Sequence, residues 1–145
     1  MAQVRVPQGV LNRLRSSAVF AAFPGLNVTA PYLTKPGLRL SFIGASTVLI
    51  DSMTGVVTSP EPYLQFLLEM HLNKAQAFAD VWKKQNETNT ILGDVTVRGD
   101  AFTLSPYQLS SASILGIDGL DFSGGSAEFT VRVGGTYLIN SSLWP

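Results

Sequence analysis

Between Ser59 and Gln85 the order of hydrophobic and polar positions changes period, and the change predicts a strand that feeds a helix. Leu64, Phe66, Leu68, Met70 and Leu72 alternate with Gln65, Leu67, Glu69 and His71. A period of two marks a sheet strand with one face buried and the other in a wetter setting, so a strand is expected over residues 63–72. From Ala75 onward, Phe78, Ala79 and Trp82 fall on one helical stripe, which predicts a helix over residues 74–85 packed through Phe78 and Trp82. Asn73 is a suitable N-cap and Gln76 completes a capping box. Lys83 and Lys84 in the expected last turn suit the negative end of the helix dipole.

The same pattern extends to both sides. Residues 1–25 contain Pro7, Gly9, Pro24 and Gly25 and hold no sustained period, so they read as an arm ahead of a single domain over 26–145. Val4, Val6, Val10, Leu11, Leu14, Val19 and Phe20 are too apolar for a free tail and are expected to cover this domain or a neighbouring subunit. Leu26 to Tyr32 alternates as an edge strand because Pro31 cannot donate to a ladder. Lys35-Pro36-Gly37 then turns the chain into Leu38 to Phe42. Thr47 to Asp51 and Val56 to Thr58 flank Met53-Thr54-Gly55, which predicts a protruding hairpin over about 43–59, and Pro60 and Pro62 separate it from the next strand.

Downstream of the helix, a polar linker over Asn86 to Thr90 leads to Val95 and Val97, and Phe102 and Leu104 start a short segment. Ile114 to Ile117 and Leu120 to Phe122 flank Asp118-Gly119, a pair suited to a tight hairpin turn. Ala127 to Val133 alternates until Gly134-Gly135, after which Thr136 to Asn140 resumes. Eight to ten short strands and one helix argue for a mainly β domain, an antiparallel barrel or sandwich with a flanking helix.

Composition narrows what such a domain does. Apolar residues make up 46% of the 145 and charged residues 14%, against about 25% charged in an average soluble domain. Either the core is large or much of the surface is buried against other subunits. Ten basic and ten acidic residues balance to zero and are scattered along the chain, so there is no electrostatic footprint for phosphate binding. With no cysteine, disulfides, thiolate metal sites and cysteine nucleophiles are excluded together. Arg13 and Arg15 ahead of Ala18 to Ala22 faintly resemble a secretion signal, but the apolar run is too short. A soluble, unexported protein without a membrane anchor is expected.

No residue set makes a credible active site. His71 is the only histidine and shares a strand face with Glu69, yet no nucleophile or second acid is placed to work with it, so a structural or surface role is favoured. Asp118 and Asp121 lack the further ligands of a calcium loop and read as turn residues. Gly124-Gly125 and Gly134-Gly135 lack the lysine and Ser/Thr of a phosphate loop. Arg98-Gly99-Asp100 and the sequons at Asn27, Asn86 and Asn140 are short enough to arise by chance. No cofactor or metal is expected. The recurring feature is charge opposite the apolar set: Arg39, Glu69, Asp94, Arg98, Glu128 and Arg132. In an isolated domain this is a solvated sheet face; in joined subunits it would line a water-filled channel.

The run Val56-Val57-Thr58-Ser59-Pro60-Glu61-Pro62-Tyr63, the segment Asn73-Lys74-Ala75-Gln76-Ala77-Phe78-Ala79-Asp80 and the ending Gly135-Thr136-Tyr137-Leu138-Ile139-Asn140 resemble tail tube proteins of contractile-tailed bacteriophages. The resemblance extends from about Leu26 onward, and the same fold group holds type VI secretion tube proteins. It implies hexameric rings that stack into a hollow virion tube, assembled in the bacterial host cytoplasm. Their inner sheets would merge into a continuous barrel with the helix outside. The implied partners are further copies of the chain, the tail sheath, baseplate and tail terminator proteins, and the tape measure protein and genomic DNA inside the lumen. Sheath contraction would drive the tube through the host envelope without a catalytic step.

By the same resemblance, the arm would make inter-ring or inter-subunit contacts through Val4, Val6, Leu11, Leu14 and Phe20. The hairpin would do so through Asp51, Met53, Thr54 and Val56. Gln65, Glu69 and His71 are lumen-lining candidates because they oppose the apolar face of their strand. Lumens in that family tend to be acidic, whereas these faces carry both signs. A tail terminator or baseplate-proximal paralogue is the nearest alternative. A monomeric β-sandwich binding module or a small β-rich enzyme is a more distant one.

Overall fold

The computed structural model describes residues 8–145, so Val4 and Val6 lie outside the described residues. The strands are β1 (Ser17–Phe20), β2 (Leu33–Ile43), β3 (Thr47–Asp51), β4 (Val56–Pro60), β5 (Tyr63–Asn73), β6 (Ile91–Arg98), β7 (Tyr107–Asp118) and β8 (Glu128–Leu138), with one helix, α1 (Ala77–Thr88), between β5 and β6. Six strands form one antiparallel sheet in the order β1-β6-β7-β8-β5-β2, and β3 pairs only with β4. Strand makes up 51% of the described residues, and the sheet curls into a half-barrel. A small cavity of about 160 Å³ is lined by Leu38 and Leu40 of β2 together with Val97 of β6 and Tyr107, which shows how near the two flanks of the sheet come.

Alternation decides which face of each strand is buried. Leu64, Phe66, Leu68, Met70 and Leu72 of β5 are all buried, and Val131 and Val133 of β8 and Leu109 and Ala112 of β7 join the same core. No polar or charged residue is buried among the described residues. Helix α1 lies over this core face through Ala79 and Trp82, with the Trp82 ring meeting Phe20 edge-on at 5.3 Å. Phe78 is partly buried and stacks on Tyr32 at 4.3 Å.

Several local expectations are corrected. Residues 17–20 are not part of an arm: β1 pairs with β6 from Ser17↔Arg98 to Phe20↔Val95. Phe20 is therefore not a contact for another subunit; it is 0% exposed. Four residues are too few to establish a period, and only the sheet supplies the partner that buries Ala18 and Phe20 while leaving Val19 outside. Leu26 to Tyr32 is not a strand either. It forms two 3-10 turns around Pro24 and Pro31, and only Val28 pairs, with Ala18. Prolines that fix φ and remove donors start such turns more readily than they join ladders. The Lys35-Pro36-Gly37 turn is instead a bulge inside β2, with Gly37 at φ +67°.

The helix begins later than its capping signal implies. Asn73 Oδ1 accepts from the Ala75 amide at 3.0 Å, forming a turn ahead of the helix. Gln76 is the N-cap without a side-chain cap, and its Nε2 donates to Pro31 O. Ala75 lies outside the helix and is exposed. The C-terminal end extends past the expected boundary to Thr88, so Lys83 and Lys84 do not face the helix terminus. They pair one turn away with Glu87 at 2.6 Å and Asp80 at 3.1 Å on the exposed face of the helix.

Gly134-Gly135 does not end a strand. A Cβ on Gly135 would lie 2.7 Å from both Ser110 O and Ser111 O and 2.8 Å from Phe66 Cε1, and one on Gly134 would lie 2.7 Å from Leu115 Cδ1. The ladder between β7 and β8 shifts register between Ser110 and Ser113, with Ser111 at φ 54°. Two glycines let β8 pass under this bulge without interruption. Gly135→Ala is expected to cost about 2–3 kcal/mol through overpacking against backbone that cannot move aside, measured as a lower urea midpoint at unchanged m-value. The Asp118-Gly119 pair also falls outside a tight hairpin, because β7 stops at Asp118 and β8 starts at Glu128. Leu120 to Phe122 lies in that longer loop, and Phe102 to Leu104 forms no strand.

Candidate functional site: one apolar end of the sheet

Every pairing in the main sheet is antiparallel, so the starts of β1, β5 and β7 and the finishes of β2, β6 and β8 gather at one end. Residues 8–16, the β3–β4 hairpin, the loop 99–106 and the tail 139–145 all emerge there. That end carries most of the exposed large hydrophobic side chains, including Val10, Leu11, Leu49, Ile50, Met53, Phe102 and Leu104. In the connections at the other end, only Tyr32, Val81, Leu120 and Phe122 are of this kind among the described residues. Single exposed hydrophobic residues are ordinary, whereas a contiguous set at one end marks an interaction surface.

The hairpin is the most pronounced part. Its register, Val48↔Ser59, Leu49↔Thr58, Ile50↔Val57 and Asp51↔Val56, puts Val48, Ile50 and Val57 on one face and Leu49 and Val56 on the other. Both faces are exposed, and Met53 in the turn is 100% exposed. The turn is closed by Ser52, whose amide and Oγ both donate to Gly55 O, at 2.8 Å and 2.9 Å. Isolated two-stranded hairpins are marginal in water, and this one packs no face on the core. Asp51, Met53, Thr54 and Val56 all sit toward the tip and are exposed. Leu11 and Leu14 are exposed on the opposite flank, held there by Arg15, and the Arg13–Arg15 turn also contacts the Ala30–Tyr32 turn, so on that flank the curl of the sheet brings its two ends together. Arg15 donates to Gly99 O and Ala101 O at 2.9 Å and 3.0 Å and lies 5.5 Å over the Phe102 ring.

The face of the sheet away from α1 is divided along the strands. In one half, Arg39↔Glu69 and Glu69↔Arg132 are direct cross-strand neighbours, giving a row of alternating charge over β2, β5 and β8. Arg132 Nε lies 2.5 Å from Asp118 Oδ2, an ion pair whose angles do not make a hydrogen bond. Gly116 opposite Arg132 leaves room for the guanidinium, since a Cβ there would sit 3.1 Å from Arg132 Nη2. The row thus sums to zero charge. His71 on the same half has Thr130 Oγ1 at 3.2 Å from Nδ1, with Glu69 and Glu128 carboxylates at 3.9 Å and 4.0 Å. The Thr130 hydroxyl and the His71 ring are within hydrogen-bond distance, but neither carboxylate hydrogen-bonds the ring to complete a hydroxyl–imidazole–carboxylate order.

The other half is uncharged. Ile43, Tyr63, Gln65, Leu67, Leu115 and Thr136 surround a cavity of about 460 Å³ above the Gly134-Gly135 crossing. The three lumen candidates therefore share a face but not a neighbourhood: Gln65 stands in the uncharged half, and Glu69 and His71 in the charged one. None lies under the helix. Asp121 is a turn residue, accepting from the Ser123 amide at 2.9 Å, whereas Asp118 is not: it ends β7 and ion-pairs across the sheet with Arg132. Hydrogen bonds from the Ser123 side chain and amide hold the Asp121 carboxyl below the usual carboxylate range. No group of three or more His, Cys, Asp or Glu side chains is placed to hold a metal ion among the described residues. No helix among them is long and apolar enough to cross a membrane.

Two features have no counterpart in the sequence patterns. Phe42, Tyr107 and Tyr137, from three strands, form an aromatic cluster with centroids 4.9–5.7 Å apart. The loop carrying Phe102 and Leu104 adds an apolar patch beside the N-terminal segment. Only the exposed apolar residues themselves hinted at the second. A scan against models of known protein families finds no match, and a search of the curated proteins finds none either.

Proposed function

We propose that this chain is a structural subunit of the tail-tube type, which closes into rings and stacks them into a hollow tube. The observation that carries the reading is the concentration of exposed apolar side chains at one end of the sheet, above all on the hairpin. Two further features support it. The outer edge of β2 from Leu38 to Ile43 has no ladder partner, whereas the edge of β1 is covered by the Ala18–Val28 pairing. An unpaired edge is where the sheet of a neighbour would continue the barrel. The self-neutralised row of Arg39, Glu69, Arg132 and Asp118 across β2, β5, β8 and β7 would present a passing polyanion with a wetted wall that does not hold it.

Magnitudes favour a ring or stack over a simple pair. Burying half a dozen Val, Leu, Ile and Met side chains supplies on the order of 10 kcal/mol. Association costs roughly 4–15 kcal/mol before any gain appears. One hairpin contact is therefore weak, and several contacts per subunit in a closed or repeating array make it stable. In such a tube the sheath, baseplate, terminator and tape measure proteins and the packaged DNA are the proposed partners, and the virion is the proposed location. Hexameric closure is part of the same proposal.

Negative-stain microscopy of the purified protein at rising concentration tests it. Uniform hollow rings or tubes are the expected result. Rings that never stack would favour a tail terminator or baseplate-proximal role, and a monomer at every concentration would overturn the reading.

A further inference from the structure

The β3–β4 hairpin pairs with no other strand, so its direction is decided at its base. There the C-terminal tail meets it. Asn140 follows β8 in a left-handed conformation, φ 55° and ψ 37°. That conformation turns its side chain between the two legs, and its Nδ2 donates to Glu61 O at 2.7 Å and reaches Ser46 O at 3.4 Å. Ser46 and Glu61 bracket the hairpin just outside its last pair, Thr47↔Pro60, and the Glu61 amide itself donates to Ser46 O at 3.0 Å. A single amide group thus ties both legs to the main sheet. The neighbouring backbone strengthens the tie, with the Ile139 amide on Pro62 O at 3.1 Å and Trp144 Nε1 on Ile139 O at 3.0 Å. Trp144 and Leu143 face Pro60 and Pro62 across a cavity of about 410 Å³.

We propose that Asn140 is a positioning residue that sets the angle at which the hairpin leaves the sheet and so makes it competent to join subunits. The second half of this statement rests on the self-association reading above. Few side chains fit the role. A residue here must tolerate the left-handed region, which favours Gly, Asn and Asp, and must carry two donors to serve two carbonyls, which leaves Asn. The requirement also answers the Asn140-Ser141-Ser142 sequon, because the amide nitrogen a glycan would need is engaged with the hairpin base. Beyond this base no ladder ties the hairpin to the main sheet, and Gly44 at φ +100° precedes its first leg.

Two variants test the proposal. Asn140→Asp keeps the shape and the backbone preference but points a carboxylate at two carbonyl oxygens. Asn140→Gly keeps the left-handed turn and removes the amide. For both, amide hydrogen exchange at Glu61, proteolysis across 52–55, thermal unfolding and the concentration for assembly are compared with the wild type. The expected result is exchange at Glu61 faster by about tenfold, the ratio for one net hydrogen bond, with quicker cleavage at the turn. The concentration needed for assembly should rise by at least as much, while the main sheet unfolds cooperatively near its original midpoint. Wild-type exchange at Glu61 in both variants would overturn the clamp. Faster exchange with unchanged assembly would overturn the positioning role. Should the wild type never associate, the self-association reading and the positioning role fail together, while the exchange measurement alone still decides whether Asn140 anchors the hairpin.

Discussion

If the chain self-associates as proposed, Ile50→Lys combined with Val57→Glu is expected to leave it folded and monomeric at concentrations that assemble the wild type. Ile50 and Val57 are direct partners on one face of the hairpin, and both are more than half exposed. The introduced charges oppose each other across the strands, and such a pair contributes roughly 0.2–1 kcal/mol, so the hairpin itself should persist. Its face would then carry two charges into any apolar contact. Desolvating them costs several kcal/mol per ion, more than the contact returns. Sedimentation velocity and circular dichroism check the two halves of the expectation. Retained association with a native spectrum would remove this hairpin face from the interface.

Trp82→Ala should produce the largest loss of stability of any single substitution in α1, about 3–5 kcal/mol. Trp82 is 0% exposed, touches Phe20, and anchors the helix to the core face of the sheet. Against a total of roughly 5–15 kcal/mol for a domain, the variant would be marginal, with a melting temperature lower by roughly 10–15 °C. Trp82→Phe should cost much less. It keeps the ring against Phe20 and removes an indole N–H that has no hydrogen-bond partner, a group whose burial without an acceptor costs about 1–3 kcal/mol. Equal losses for the two variants would show that the indole, not the aromatic volume, holds the helix.

Elements with long, strict patterns were legible residue by residue. β5 matches its alternation within one residue of the expected bounds, and β3 matches at both ends. In α1 the stripe of Phe78, Ala79 and Trp82 was legible, but the start was not, because Asn73 can cap a helix or close a turn and its chain neighbours do not choose between them. Short or interrupted patterns misled. β1 has four residues, and β8 contains two glycines that signal a turn until β7 crosses above them.

The sequence by itself determined a mainly β chain with one helix, an apolar hairpin bounded by prolines, and an absence of net charge. These follow from local periods and from counting, which need no partner to be read. Tertiary structure alone decided that Phe20 belongs to the core, that Arg39, Glu69, Arg132 and Asp118 lie in one neutral row, and that Asn140 closes the base of the hairpin. It also decided that most of the exposed apolar residues share one end of the sheet. Each of these depends on which strands become neighbours and in what register, and a period of two names the buried face of a strand without naming the strand beside it.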